Sequence, residues 1–146
     1  MNHLTKGFEL ADSWSVDAHK TLNAPYDNRD GAIDLWVCLK GLGKNWVSEL
    51  VEELHSKAKY FSELLEDSGL QIINEIVFNQ VLVRYNNDNK TEVLVKGFQE
   101  SGVCWLGGAK WLNKSVMRIS ICSYKTSYED IEKSAKEILK IAKGLN

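Results

Sequence analysis

The 146-residue sequence predicts a fold of the α/β to α+β class, and three observations carry that prediction. A helical period runs through residues 46–67, alternating apolar segments follow from residue 70, and a capped helical stripe closes the chain. Trp46, Leu50, Leu54, Ala58, Phe61 and Leu65 recur at three- and four-residue steps, with Glu49, Glu52, Glu53, Lys57 and Glu63 on the other faces. That spacing predicts an amphipathic helix over 46–67, stopped by Gly69. A shorter helix, Ala32 to Lys40, ends at Gly41-Leu42-Gly43. Gly41, Gly43 and Lys44 faintly suggest a phosphate loop. Asn45 stands where Ser or Thr is needed, so the reading is a turn between helices.

Beyond Gly69 the pattern turns to strands. Leu70-Gln71-Ile72-Ile73 and Gln80-Val81-Leu82-Val83-Arg84-Tyr85 are the first two. Thr91 to Glu100 reads as a helix with Val93, Leu94 and Phe98 on its buried side. Val103-Cys104-Trp105-Leu106 and Val116 to Ile121 read as two more strands. In the latter, Val116, Arg118, Ser120 and Cys122 face away from Met117, Ile119 and Ile121. The last helix opens with Thr126-Ser127-Tyr128-Glu129 as a capping box, carries Ile131, Ala135, Ile138, Leu139 and Ala142, and ends at Gly144. Residues 46–146 therefore form an α+β unit, with helices on one face of a mainly antiparallel sheet. No internal repeat or low-complexity linker interrupts it.

Composition narrows the function. Apolar residues make up 44% and charged residues 26%, which excludes disordered and collagen-like chains. Eighteen basic and twenty acidic residues give a net charge of −2, so neither a nucleic acid nor an anionic membrane is the expected partner. No apolar run is long enough to span a bilayer, and the first residues lack signal-peptide order, so a cytoplasmic location is expected. Cys38, Cys104 and Cys122 are odd in number and lack metal spacing; they read as buried free thiols, with no metal site.

The first thirty residues differ from the rest. Phe8 to His19 alternates loosely, as a strand that would deliver His19 and Lys20 to its end, and Asn23 to Gly31 is turn chemistry. No neighbouring strand is evident for it. Asp17-Ala18-His19-Lys20 is the richest local cluster of chemical groups. By physical reasoning alone, Lys20 is a solvated charge and His19 a packed structural histidine.

The run Ala11-Asp12-Ser13-Trp14-Ser15-Val16-Asp17-Ala18-His19-Lys20-Thr21-Leu22-Asn23-Ala24-Pro25-Tyr26-Asp27 closely resembles the cofactor-lysine segment of the group II pyridoxal-phosphate-dependent amino-acid decarboxylases. Leu35 to Gly43, Asn79 to Arg84, Gly102 to Trp105 and Met117 to Ser120 agree with that family in order, as do Thr126 and the acidic pair Glu129-Asp130. The resemblance covers nearly the whole chain but only part of the family. Members carry a large N-terminal portion, and several dozen residues after the Pro-Tyr-Asp turn, that have no counterpart here.

The resemblance implies a truncated chain of the fold-type I pyridoxal-phosphate-dependent transferase kind. Residues 1–31 would be a remnant of the large domain's cofactor-lysine segment, and residues 32–146 linking helices plus the C-terminal α+β small domain. It implies a lyase that removes carbon dioxide from an amino acid. Pyridoxal 5'-phosphate would be held as an imine by Lys20, the catalytic and cofactor-binding residue, with His19 beside it supporting the phosphate. The family is homodimeric. Arg118 stands where an arginine can receive a substrate carboxylate, or can serve as an edge charge, or can pair with a carboxylate of the large domain. Asp17 orients Lys20 or bonds backbone in the turn. Trp105 and Trp111 read as core or packing aromatics, not substrate contacts. The parts absent from the match would hold much of the cofactor cradle and a mobile loop tyrosine, so the chain is expected to be inactive alone. The alternative is a non-catalytic α+β relic or binding domain that pairs with a full-length relative.

Overall fold

A computed structural model describes residues 31–66 and 68–145, with Lys6, Leu10 and Ala11; the side chains of residues 31–35 and 38 lie outside it. The strand expected over Phe8–His19, the turn after it, and Asp17, His19, Lys20 and Tyr26 all fall outside the described residues, as does the Cys38 thiol. Chain order is α1 (Gly31–Leu65), β1 (Leu70–Ile72), β2 (Gln80–Tyr85), α2 (Asp88–Ser101), β3 (Gly107–Trp111), β4 (Lys114–Ser120) and α3 (Tyr128–Gly144).

The strands form one antiparallel sheet in the order β1-β2-β4-β3. Its register pairs Val81 with Ile119 and Val83 with Met117. Because side chains alternate across a strand, those four residues and Tyr85 all face the helices. All five are buried there with Leu94 and Phe98 of α2 and Ile131, Ala135 and Ile138 of α3. The second half of α1 completes this layer, packing on β2 and α3 with Leu50, Leu54, Ala58, Phe61 and Leu65 inward. The stripe read from the sequence is thus the core stripe. Tyr85 reaches through the layer and donates its hydroxyl to the carbonyl of Ala142 at 3.1 Å.

Several boundaries differ from expectation. The two expected helices are present and meet at Gly43, whose φ of 77° and ψ of 165° are non-helical, while their boundary is a single-residue kink. Only glycine takes up such a backbone without strain, so the glycine signal marked a kink and no intervening loop. α2 begins earlier, at Asp88, because the Asn87 side chain accepts the Lys90 N–H at 2.9 Å. On α2, Val93 is exposed and Val95 is buried instead. The box that caps α3 is shifted by one residue: Ser127 is the N-cap and Asp130 its reciprocal partner.

The strand expected over Val103–Leu106 is not one. The Gln99 side chain donates to the Leu106 carbonyl at 2.8 Å, taking the place of a ladder bond. The strand instead begins at Gly107. A two-residue turn, Leu112 at φ 48° and Asn113 at φ 61°, closes its hairpin with β4 through the Trp111–Lys114 pair. Nor are Trp105 and Trp111 core residues, at 79% and 47% exposure. The expectation of buried thiols also fails, since Cys104 is exposed and Cys122 half-buried.

Candidate functional site

Arg118 stands on the face of the sheet turned away from the helices, which also carries the buried Leu82 and Val116. On β4 it is opposite Leu82 of β2 and Gly107 of β3. Its side chain is exposed, and no hydrogen bond or ion pair to another described residue holds the guanidinium. Gly107 contributes no side chain beside it, and a Cβ there would meet nothing within 4 Å. Next to Leu82, a groove of about 580 Å³ runs between the 73–79 loop and Trp111. Arg118 borders this groove without lining it. What the arrangement offers is an exposed planar cation engaged by no other described residue, the chemistry that takes a carboxylate in a bidentate grip.

Two residues of the segments that resemble the family frame this face structurally. Arg84 is nearly enclosed, donating to the Asp88 carboxylate and, at 3.1 Å, to the Ser115 carbonyl. The Arg84 hydrogen bond holds the Asp88 carboxyl below its ordinary range. Asn79 is buried and donates to the Ile121 carbonyl at 3.0 Å, while its own carbonyl accepts the Ile121 N–H at 3.0 Å. This clamp fixes the end of β4, and so the position of Arg118 one turn of the pleat earlier. Sequence reasoning placed Asn79 in a matching segment but gave it no role; the signal available was an amide placed immediately before an apolar strand.

On the opposite side, α1 and α3 share a polar cluster. Lys57 is buried, reaches Glu53 at 3.1 Å and lies over the Tyr128 ring at 5.6 Å. Burial, with Glu53 nearby, raises the Tyr128 hydroxyl above its ordinary range. The Tyr60 hydroxyl donates to Glu132 at 2.9 Å, which raises the tyrosine and lowers the carboxyl. These groups join α1 to α3. Among the described residues no three His, Cys, Asp or Glu side chains gather as a metal site, and no helix is long and apolar enough to cross a membrane.

Of the sequence-predicted site, then, the structure places Arg118 alone; Lys20 and His19 lie outside the described residues, so it brings no two of them together. Comparison with known proteins supplies what the geometry does not. No family model matches the chain. The aromatic-L-amino-acid decarboxylase of Drosophila melanogaster is 31% identical over 180 aligned residues, covering 93% of this chain and 35% of that protein. The one of Drosophila lebanonensis is 25% identical over 180, covering 93% and 45%. Both alignments are longer than the chain itself, so the relatives hold internal residues that it lacks.

Among solved structures, Oryza sativa TDC with PLP and tryptamine superposes at a TM-score of 0.75 and 16% identity, covering 81% of this chain and 27% of that one. Catharanthus roseus tryptophan decarboxylase in complex with L-tryptophan gives 0.73 at 18%, covering 79% and 26%. Mouse CSAD in apo form gives 0.68 at 15%, covering 90% and 31%. These likenesses establish the fold, that of fold-type I decarboxylases, and the chain spans less than half the length of each curated relative it matches. The chain is therefore similar to aromatic-L-amino-acid decarboxylases over 93% of its own length and 35% of theirs.

Proposed function

We propose that this chain carries the cofactor-lysine segment and the small domain of a cytoplasmic, pyridoxal-phosphate-dependent amino-acid decarboxylase, and that it does not turn over substrate alone. The observation that carries the reading is the run Ala11 to Asp27, together with relatives that are decarboxylases over 93% of the chain. Lys20 is the attachment residue. Its side-chain nitrogen forms the covalent link, and a neighbouring cation or apolar cover would keep it unprotonated enough to react. His19, adjacent in sequence, supports the phosphate. When bound, pyridoxal phosphate supplies an electron sink for the bond to the departing carboxylate.

Among the described residues, the donor set of Arg118 fits an anionic oxygen pair, and its freedom from other partners leaves it available. We assign it to a carboxylate of the amino-acid substrate. Holding that carboxylate in a fixed plane is a matter of positioning, which needs walls on more than one side. Among the described residues only the groove beside Leu82 borders Arg118, which favours inactivity of the isolated chain. A homodimeric state would follow the family and could supply further walls. The second reading, a non-catalytic domain pairing with a full-length relative, draws on a different observation: Trp36, Val37, Leu39 and Leu42 are all exposed before Gly43.

Borohydride reduction in the presence of pyridoxal phosphate, followed by peptide mapping, tests the assignment. The label is expected on Lys20 and absent in Lys20→Ala; labelling mainly on Lys40 or Lys44 would refute it. Carbon dioxide release from a panel of amino acids is expected to stay at background. Turnover that disappears in Lys20→Ala would show that the isolated chain suffices.

A further inference from the structure

A cavity of about 300 Å³ opens on the helix side of the molecule, between the 103–106 segment and the first turns of α3. It is remote in the sequence from Lys20, and Arg118 does not line it. Its floor is apolar, with Phe61, Phe98 and Ile138 among the lining side chains, each essentially buried in the core. Its mouth carries one acid and one base, Asp130 and Lys133, with the hydroxyl of Ser134 beside them. A volume at the lower end of the usual range for ligand pockets suits a small molecule.

The two charged groups are three residues apart on one helix, so both stand on the same side of it. They nevertheless form no ion pair with each other, and Lys133 forms none with any other described residue. Asp130 has one oxygen committed: Oδ2 accepts the Ser127 N–H at 2.9 Å and the Ser127 hydroxyl at 2.8 Å. Oδ1 has no partner among the described residues. Those same Ser127 hydrogen bonds keep the carboxyl below its ordinary range and so charged at neutral pH. A separated acid and base over an apolar floor match a molecule that carries an ammonium and a carboxylate on one carbon, with an apolar tail.

We propose that this cavity is a binding site for a free amino acid with an apolar side chain, its ammonium on Asp130, its carboxylate on Lys133 and its side chain on the Phe98–Ile138 floor. The proposal does not depend on the assignment of Lys20.

The test is a titration of the full chain, without pyridoxal phosphate, with L-phenylalanine, read by the methyl NMR shifts of Ile131 and Ile138. Saturable shifts are expected. They should weaken at least tenfold with 2-phenylethylamine, which lacks the carboxylate, and with 3-phenylpropionate, which lacks the ammonium. Lys133→Glu, an exposed substitution, should weaken L-phenylalanine by a similar factor, while Lys20→Ala leaves binding unchanged. Equal binding of the three probes, no saturable shift, or indifference to Lys133→Glu would each overturn the proposal. Loss of binding in Lys20→Ala would overturn it too, by placing the ligand at the lysine segment instead.

Discussion

The two halves of α1, divided at Gly43, show how little a helix assignment says about what holds a helix in place. After the kink, Leu54, Ala58, Phe61 and Leu65 are at most 2% exposed and the opposite faces are charged. Before it, Trp36, Val37, Leu39 and Leu42 are 42–60% exposed. Those four residues point in different directions around the helix axis, since 36, 37, 39 and 42 do not share a face at 100° per residue. One half is an amphipathic helix on its own core. The other spreads exposed apolar side chains over more than half of its circumference, with Lys40 among them. Helical geometry is common to both, but among the described side chains burial in the core belongs to the second half.

The largest expected effect is the contrast between two leucines. Leu54→Ala removes a fully buried side chain and is expected to cost about 3 kcal/mol. Leu39→Ala, on the exposed half, should lie within about 0.5 kcal/mol of the parent. Urea unfolding followed by circular dichroism measures both. A Leu39→Ala cost close to that of Leu54→Ala would show the first half to be packed in solution, and the comparison would break.

A middle-sized effect belongs to the cap of α3, the helix against which the second half packs. Ser127→Ala deletes the hydroxyl from the capping box and should cost about 1 kcal/mol. Its pH dependence follows from Asp130, whose folded-state carboxyl is lowered by Ser127. A carboxyl lowered on folding stabilises above its ordinary range, and that contribution is lost as the pH falls through the lowered value. The gap between parent and Ser127→Ala should therefore be widest near neutrality and narrow in acid. A gap that widens on acidification would contradict the assignment of Asp130 as the reciprocal partner.

The smallest effect sharpens the boundary itself. At Gly43 the positive φ disfavours any residue with a Cβ, yet a Cβ there would meet nothing within 4 Å. Since nothing packed resists straightening, Gly43→Ala should extend the helix through the kink. Helical ellipticity is expected to rise slightly, with the urea midpoint nearly unchanged. A marked loss of stability would mean that the first half is anchored at its present angle.

What could be read from the sequence divides along the same line. The core stripe of α1 and the extent of β2 were legible because burial on one side imposes a period, three to four on a helix and two on a strand. The face of Arg118 was legible for that reason. At 103–106 apolar, β-prone residues misled, because Gln99 caps the Leu106 carbonyl and a turn further on sets the hairpin's register. The displaced cap of α3 came from two adjacent hydroxyl residues, Thr126 and Ser127, either of which satisfies the local pattern. Lys20 and His19 carry no periodic or burial signal; their meaning came from a long motif shared with a family. The cavity at Asp130 and Lys133 was invisible, because it needs the 103–106 segment brought against α3.

The strand order has a consequence for how the chain is made. β2 lies at the centre of the sheet, but its long-range neighbour is β4, so Gln80 waits for Ser120 across the whole of α2 and β3. Until then β2 has only the three-residue β1 on one flank. During synthesis from the N-terminus, the helix, the short β1–β2 pair and α2 all emerge before the sheet can close. The β3–β4 hairpin is local and forms quickly, whereas its docking against β2 is the non-local event that completes the core. A chain interrupted before Ser120 is left with the apolar flank of β2 unpaired, a template for the β2 of another unfinished chain.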